Sequence, residues 1–63
     1  MEVIKQEDEL GNLKYVTFRE EQDEDLGEKI KTYMAANYPG ITWEQFFDRI
    51  DRMDGKSVKL KMG

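Results

Sequence analysis

Asp48, Asp51 and Asp54, followed by Gly55, come nearer to a metal-binding pattern than any other residues of this chain. A calcium loop sets acidic ligands at alternate positions around a glycine that permits the sharp turn, and completes the shell with a bidentate glutamate. Here the acids recur every three residues and no glutamate stands where the bidentate ligand belongs. Asp23, Asp25 and Gly27 miss the pattern as well, because Leu26 occupies the glycine position. On a helix, Glu44, Asp48 and Asp51 share one face, and a magnesium site or an acid–base pair is the chemistry they offer. A solvated face explains them more simply, since Asp48 stands four residues before Arg52 in the order that supports a helix.

Other chemistry is narrowed by what is missing. The chain has neither cysteine nor histidine, which removes disulfides, thiolate nucleophiles, the usual transition-metal ligands and the commonest base near neutral pH. The glycines at 11, 27, 40, 55 and 63 are isolated, so no phosphate-cradling loop is present. Tyr15, Thr17, Ser57 and Lys59 remain as nucleophile candidates, with no recognisable base or orienting group around them. The expectation is no enzyme, no catalytic residue, no metal and no cofactor.

Sixty-three residues, of which 38% are apolar and 38% charged, with one Trp, three Tyr and three Phe, describe a single small folded domain spanning residues 1 to 63. A chain of this size hides only about 60% of its unfolded surface, so a partner or a second copy is a natural source of further stability. No apolar run approaches the ~20 residues of a membrane span. Met1 to Ile4 runs straight into charges, so neither a signal peptide nor membrane contact is expected and a cytoplasmic location is the simplest reading.

The elements that must position these residues follow from periodicity. Val3 to Glu7 and Leu13 to Phe18 read as a hairpin through Gly11-Asn12. A two-residue loop puts Ile4 on the face of Leu13 and Tyr15. A three-residue loop, Leu10 to Asn12, gathers Ile4, Val16 and Phe18 on one face and turns Val3, Leu13 and Tyr15 away, and it is preferred because it gives one clean core face. Leu26, Ile30, Met34 and Tyr38 recur every four residues with Tyr33 beside them, which predicts a helix from Asp25 to Asn37 that Pro39-Gly40 ends. Gly27 inside it weakens the start.

A second helix, Trp43 to Met53, opens with Thr42 as N-cap, Gln45 completing a capping box and Ile41 placed to staple against Phe46. Its stripe is Trp43, Phe46, Phe47, Ile50 and Met53, and Gly55 is read as its C-terminal cap. Val58, Leu60 and Met62 then alternate with Ser57, Lys59 and Lys61 as a half-buried strand. The order β-β-α-α-β predicts an α+β domain, a three-stranded sheet packed on one face by two helices. Its expected core is Trp43, Phe46 and Ile50 against Ile4, Val16, Phe18, Ile30, Val58 and Leu60.

Two binding readings compete for the surface. The net charge of −4 is split: residues 1 to 28 hold ten acids against three bases, and residues 29 to 63 hold four acids against seven bases. The acids peak at Glu20, Glu21, Asp23, Glu24 and Asp25. This stretch, with Tyr38 and Trp43 flanking the interhelical turn, is the candidate protein-binding surface, and its partner is another protein with a basic surface. A short, acidic, cysteine-free domain resembles the small inhibitors and modulators that phages and mobile elements encode, some of which mimic nucleic acid; the resemblance implies a viral inhibitor of a nucleic-acid-handling protein.

The alternative is nucleic acid. The sheet face away from the helices is expected to show Tyr15, Thr17, Arg19, Lys59 and Lys61, an aromatic ring among bases, which suits a single strand. Residues 13 to 53 also resemble a ribbon-helix-helix repressor in the order strand, helix, turn Pro39-Gly40-Ile41-Thr42, capped helix. That resemblance implies a homodimer that pairs two such strands and sends Tyr15, Thr17 and Arg19 into the major groove. The acids at 20 to 25 repel phosphate close to Arg19, so protein binding ranks first.

Overall fold

The computed structural model describes residues 1–22 and 25–63, so Asp23 and Glu24 of the acidic stretch lie outside the described residues. Six elements follow one another: β1 (Glu2–Glu7), β2 (Leu13–Arg19), α1 (Leu26–Asn37), α2 (Trp43–Asp48), β3 (Ile50–Met53) and β4 (Ser57–Lys61). The strands form one antiparallel sheet in the order β1-β2-β4-β3. The α+β class expected from the sequence holds, with four strands where three were expected.

The additional strand comes from the segment read as the end of the second helix. Helix α2 stops at Asp48, with the Arg49 N–H donating to the carbonyls of Gln45 and Phe46 at 3.0 and 3.1 Å. The chain then turns into β3, placing Ile50 opposite Leu60 and Met53 opposite Val58, with an irregularity between Ile50 and Arg52. Asp54-Gly55 is therefore a hairpin turn and no helix cap. A C-cap glycine takes a left-handed backbone, whereas among the described residues only Gly11 has a positive φ. What closes the turn is the Asp54 carboxylate, which accepts from the N–H groups of Lys56 and Ser57 and from the Ser57 hydroxyl, each at 2.9 Å.

The first hairpin also departs from the expected register. The Asp8 carboxylate accepts from the N–H groups of Leu10 and Asn12, both at 2.9 Å, while Gly11 takes φ 82°. That side chain holds open a five-residue loop, Asp8 to Asn12, and the loop length sets the faces. Val3 pairs with Phe18 and Ile4 with Thr17. Val3 consequently packs on the core while Ile4, 38% exposed, lies on the opposite face with Tyr15. These are the faces of the two-residue-loop alternative, not of the preferred register. An irregularity at Gln6/Glu7 lets Leu13 pack back on the core, where it was expected to point away.

The core is Val16, Phe18, Val58 and Leu60 from the sheet, Ile30 and Met34 from α1, and Phe46 from α2. Helix α1 begins where the acids suggested, its N-cap Asp25 accepting from the Glu28 N–H at 3.2 Å, and Gly27 falls in the first turn. The Tyr33 ring meets Phe18 edge-on at 5.3 Å. Of the residues expected in the core, Ile4 and Trp43 are instead exposed and Ile50 is half-buried. The capping box of α2 forms as expected: the Gln45 N–H donates to Thr42 Oγ1 at 3.1 Å, and the Thr42 N–H to Gln45 Oε1 at 3.0 Å.

Two stability predictions rest on α2. Thr42→Ala removes the acceptor for the Gln45 N–H and is expected to cost about 1 kcal/mol in urea unfolding. Phe46→Ala, at a position 4% exposed, is expected to cost about 3–5 kcal/mol, which in a domain this small abolishes the cooperative transition. An unshifted midpoint for either variant contradicts the assigned cap or core position.

Candidate functional site

The acidic stretch is not the uniform surface its sequence suggests. Glu20 is 7% exposed and its carboxylate holds Lys29 Nζ at 2.7 Å, the α-amino group of Met1 at 3.2 Å and the Gln22 N–H at 3.3 Å. The Lys29 hydrogen bond first, and the Gln22 N–H next, bring its pKa down to about 2. Glu21 accepts from the Arg19 guanidinium at 2.6 Å, and Asp25 caps α1. Glu20 is thus committed inside the molecule, while Glu21 and Asp25 stay exposed with local partners. A signal for Glu20 was present in the alternation Val16, Phe18, Glu20, which carries the inward face of β2 one position beyond the strand.

The second candidate feature is apolar. Trp43 stacks on Phe46 at 4.4 Å and 9°, and Phe47 stands edge-on to both at 5.2 and 5.5 Å. Because α2 is six residues long, it buries only Phe46 of these three rings. Leu26 and Ile30 of α1, Trp43 and Phe47 of α2, and Ile50 and Met53 of β3 line a groove of about 240 Å³. Trp43, Phe47 and Met53 at this groove are 41%, 55% and 61% exposed. Sequence reasoning singled out Trp43 and missed Phe47 and Met53, which a longer helix had enrolled in its stripe. Tyr38, the other aromatic expected at a partner, is half-buried with its ring 6.2 Å from that of Tyr33 and packs on the core.

Exposed acids stand next to the groove residues in sequence: Asp25 and Glu28 beside Leu26 and Gly27, Glu44 and Asp48 beside Trp43 and Phe47, and Asp51 and Asp54 beside Ile50 and Met53. Of these six, Asp54 lines the groove itself, whereas Asp48 and Asp51 line a separate cleft with Lys61. Nearby bases are engaged elsewhere: Lys29 with Glu20, Arg49 with the Lys61 and Met62 carbonyls at 3.3 and 3.4 Å, and Lys56 Nζ with the Glu21 carbonyl at 3.3 Å. Asp48, Asp51 and Asp54 end up on a helix end, a strand irregularity and a turn, and among the described residues no three carboxylates are placed to share a cation.

The third feature is the sheet face that carries no helix. Strand pairing brings Tyr15, Thr17, Arg19, Lys59 and Lys61 together there, opposite one another as Tyr15 and Lys61, Thr17 and Lys59, and Arg19 and Ser57. Arg52, opposite Lys59, joins them from the unexpected strand β3. Lys59 Nζ sits 4.3 Å from the centre of the Tyr15 ring, a cation–π contact between two half-buried side chains. Glu2 is paired with Arg19 on this face, its carboxylate 3.8 Å from the guanidinium. Strand β2 is paired on both edges, by β1 and by β4. It therefore has no edge to offer a second chain, and the ribbon-helix-helix dimer implied by element order does not form through it.

The Glu20 cluster sets a pH dependence. A carboxylate whose folded pKa is depressed adds stability above its ordinary value near 4.5 and loses it as the pH falls toward about 2. Glu20→Gln is expected to be less stable than the parent at neutral pH, and the difference is expected to shrink through that window, as read from urea midpoints. A difference independent of pH contradicts the ion cluster.

Comparison with protein-family models, with curated proteins and with solved structures finds no match for this chain, which leaves the placement of its own side chains as the ground for a functional reading.

Proposed function

We propose that the chain is a non-catalytic protein-binding module, a small cytosolic modulator or inhibitor of a protein with a basic surface, in the manner of the acidic proteins that phages and mobile elements encode. The observation that supports this reading is the groove where Trp43, Phe47 and Met53 remain exposed around one apolar floor. Large apolar groups gathered in one patch of a small domain mark contact surfaces, and tryptophan is prominent among residues that dominate binding energy. Asp54 at the groove, and the exposed acids next to its lining residues in sequence, favour a partner that carries an apolar side chain on a basic surface, such as one built to hold nucleic acid. The docking surface thereby moves from residues 20 to 25, where Glu20 is buried and Glu21 is paired with Arg19, to the groove.

Trp43 is the single tryptophan, so its emission reports on the groove directly. Titration with a Leu/Lys amphipathic helical peptide is expected to give a saturable blue shift that a Leu/Glu peptide of the same pattern does not. Phe47→Ser, at an exposed position, is expected to weaken that binding by about tenfold or more. Glu44→Lys with Asp48→Lys is expected to slow association and flatten its salt dependence. Equal response to both peptides, or indifference to Phe47→Ser, contradicts the proposal. A shift that follows protein concentration without peptide assigns the groove to a second copy instead.

A further inference from the structure

We infer that the helix-free face of the sheet binds single-stranded nucleic acid, with the Tyr15 ring as a stacking platform and Lys59, Lys61 and Arg52 as the groups that hold the phosphates. This surface is separate from the groove, on the other side of the sheet, and stands on different observations. Strand register brings Arg52, Lys59, Lys61 and Arg19 onto one face around a single ring. Arg19 is matched there by Glu2 and by Glu21, and Arg52 on β3 lies within electrostatic reach of Asp54, so among the described residues the charge that no acid pairs with lies on β4, at Lys59 and Lys61 beside Tyr15. A polyanion fits that charge.

The ring narrows the class. A nucleobase offers every single strand a flat face to stack on an aromatic side chain, while the bases of a duplex are already stacked and paired. In the free protein Lys59 Nζ covers the Tyr15 ring. The ammonium occupies the ring face on which a base would stack, so an arriving base displaces it, and the ammonium regains an anionic partner in a phosphate. The two acids nearest the end of β2, which by sequence alone repel such a ligand, are ion-paired: Glu20 with Lys29 and the Met1 amino group, Glu21 with Arg19.

The test is fluorescence anisotropy with a labelled oligothymidine of about 12 nucleotides, a length within the range one small sheet platform engages. With three bases holding phosphates, affinity is expected to fall with salt at a logarithmic slope of about −2, or about 20-fold between about 50 and 200 mM. Tyr15→Ala is expected to weaken binding by about tenfold and Tyr15→Phe to preserve it. Because Tyr15 is half-buried, Lys61→Glu at an exposed position provides the second variant, expected to weaken binding and lower the slope. Phe47→Ser in the groove is expected to leave oligothymidine binding unchanged, which separates this inference from the proposed protein contact. Absence of binding at about 50 mM salt, equal affinity for a duplex of the same length, or heparin binding as tightly with no effect of Tyr15→Ala overturns it.

Discussion

The pairing of β2 with β4 is the contact on which the rest of the molecule depends. It joins two segments far apart in the chain, and places Val16 against Leu60 and Phe18 against Val58, all four buried. Burying side chains of this size stabilises by about 1.5–3 kcal/mol each, more than a turn or cap contributes. That ladder therefore fixes where the helices dock and where the outer strands β1 and β3 add. It also fixes sidedness, because successive residues of a strand point to opposite faces. Once Val16, Phe18, Val58 and Leu60 face inward, Tyr15, Thr17, Lys59 and Lys61 must face outward, and Glu20 is carried to the inner side where it needs cationic partners.

The parts of this arrangement that local chemistry determines are legible in the sequence. Helix α1 follows from the four-residue spacing of Leu26, Ile30 and Met34, the start of α2 from the Thr42 and Gln45 capping box, and the gathering of Tyr15, Thr17, Arg19, Lys59 and Lys61 from simple alternation. The end of α2 is not legible in the same way. Ile50 and Met53 stand three apart, as on a helix, and in a regular strand they would fall on opposite faces. The irregularity after Ile50 brings both to the inner face of β3, and a bulge of that kind leaves no mark in residue type. Asp54-Gly55 serves equally as a helix terminus or a hairpin turn, and the choice is made by the free edge of β4. The first hairpin's register turns on one side chain, Asp8, whose two backbone hydrogen bonds lengthen the loop.

The candidate site was legible to the same extent. Trp43 could be singled out because a small body cannot cover every ring. Phe47 and Met53 could not, since their exposure depends on α2 being short. The acidic stretch misled in the opposite direction: consecutive acids suggest one surface, yet Glu20 turns inward to Lys29, Glu21 turns to Arg19, and Asp25 caps α1. The faces do not divide as the halves of the sequence do: Asp54 at the apolar groove belongs to the basic half, as do Glu44, Asp48 and Asp51, while Lys59 and Lys61 of that same half gather with Tyr15 on the other side of the sheet. Both faces descend from the same ladder, which puts the helices on one side and leaves the other uncovered.

The separation of these two faces is tested most directly by amide chemical shifts of the isotope-labelled protein, followed through a titration with the Leu/Lys peptide and, in a second sample, with oligothymidine. Two disjoint sets are expected: residues of α1's first turns, α2 and β3 with the peptide, and Tyr15, Thr17, Lys59 and Lys61 with the oligonucleotide. Both ligands moving the same residues, or oligothymidine moving residues of the groove while those of β2 and β4 stay in place, contradicts a sheet that divides two binding surfaces.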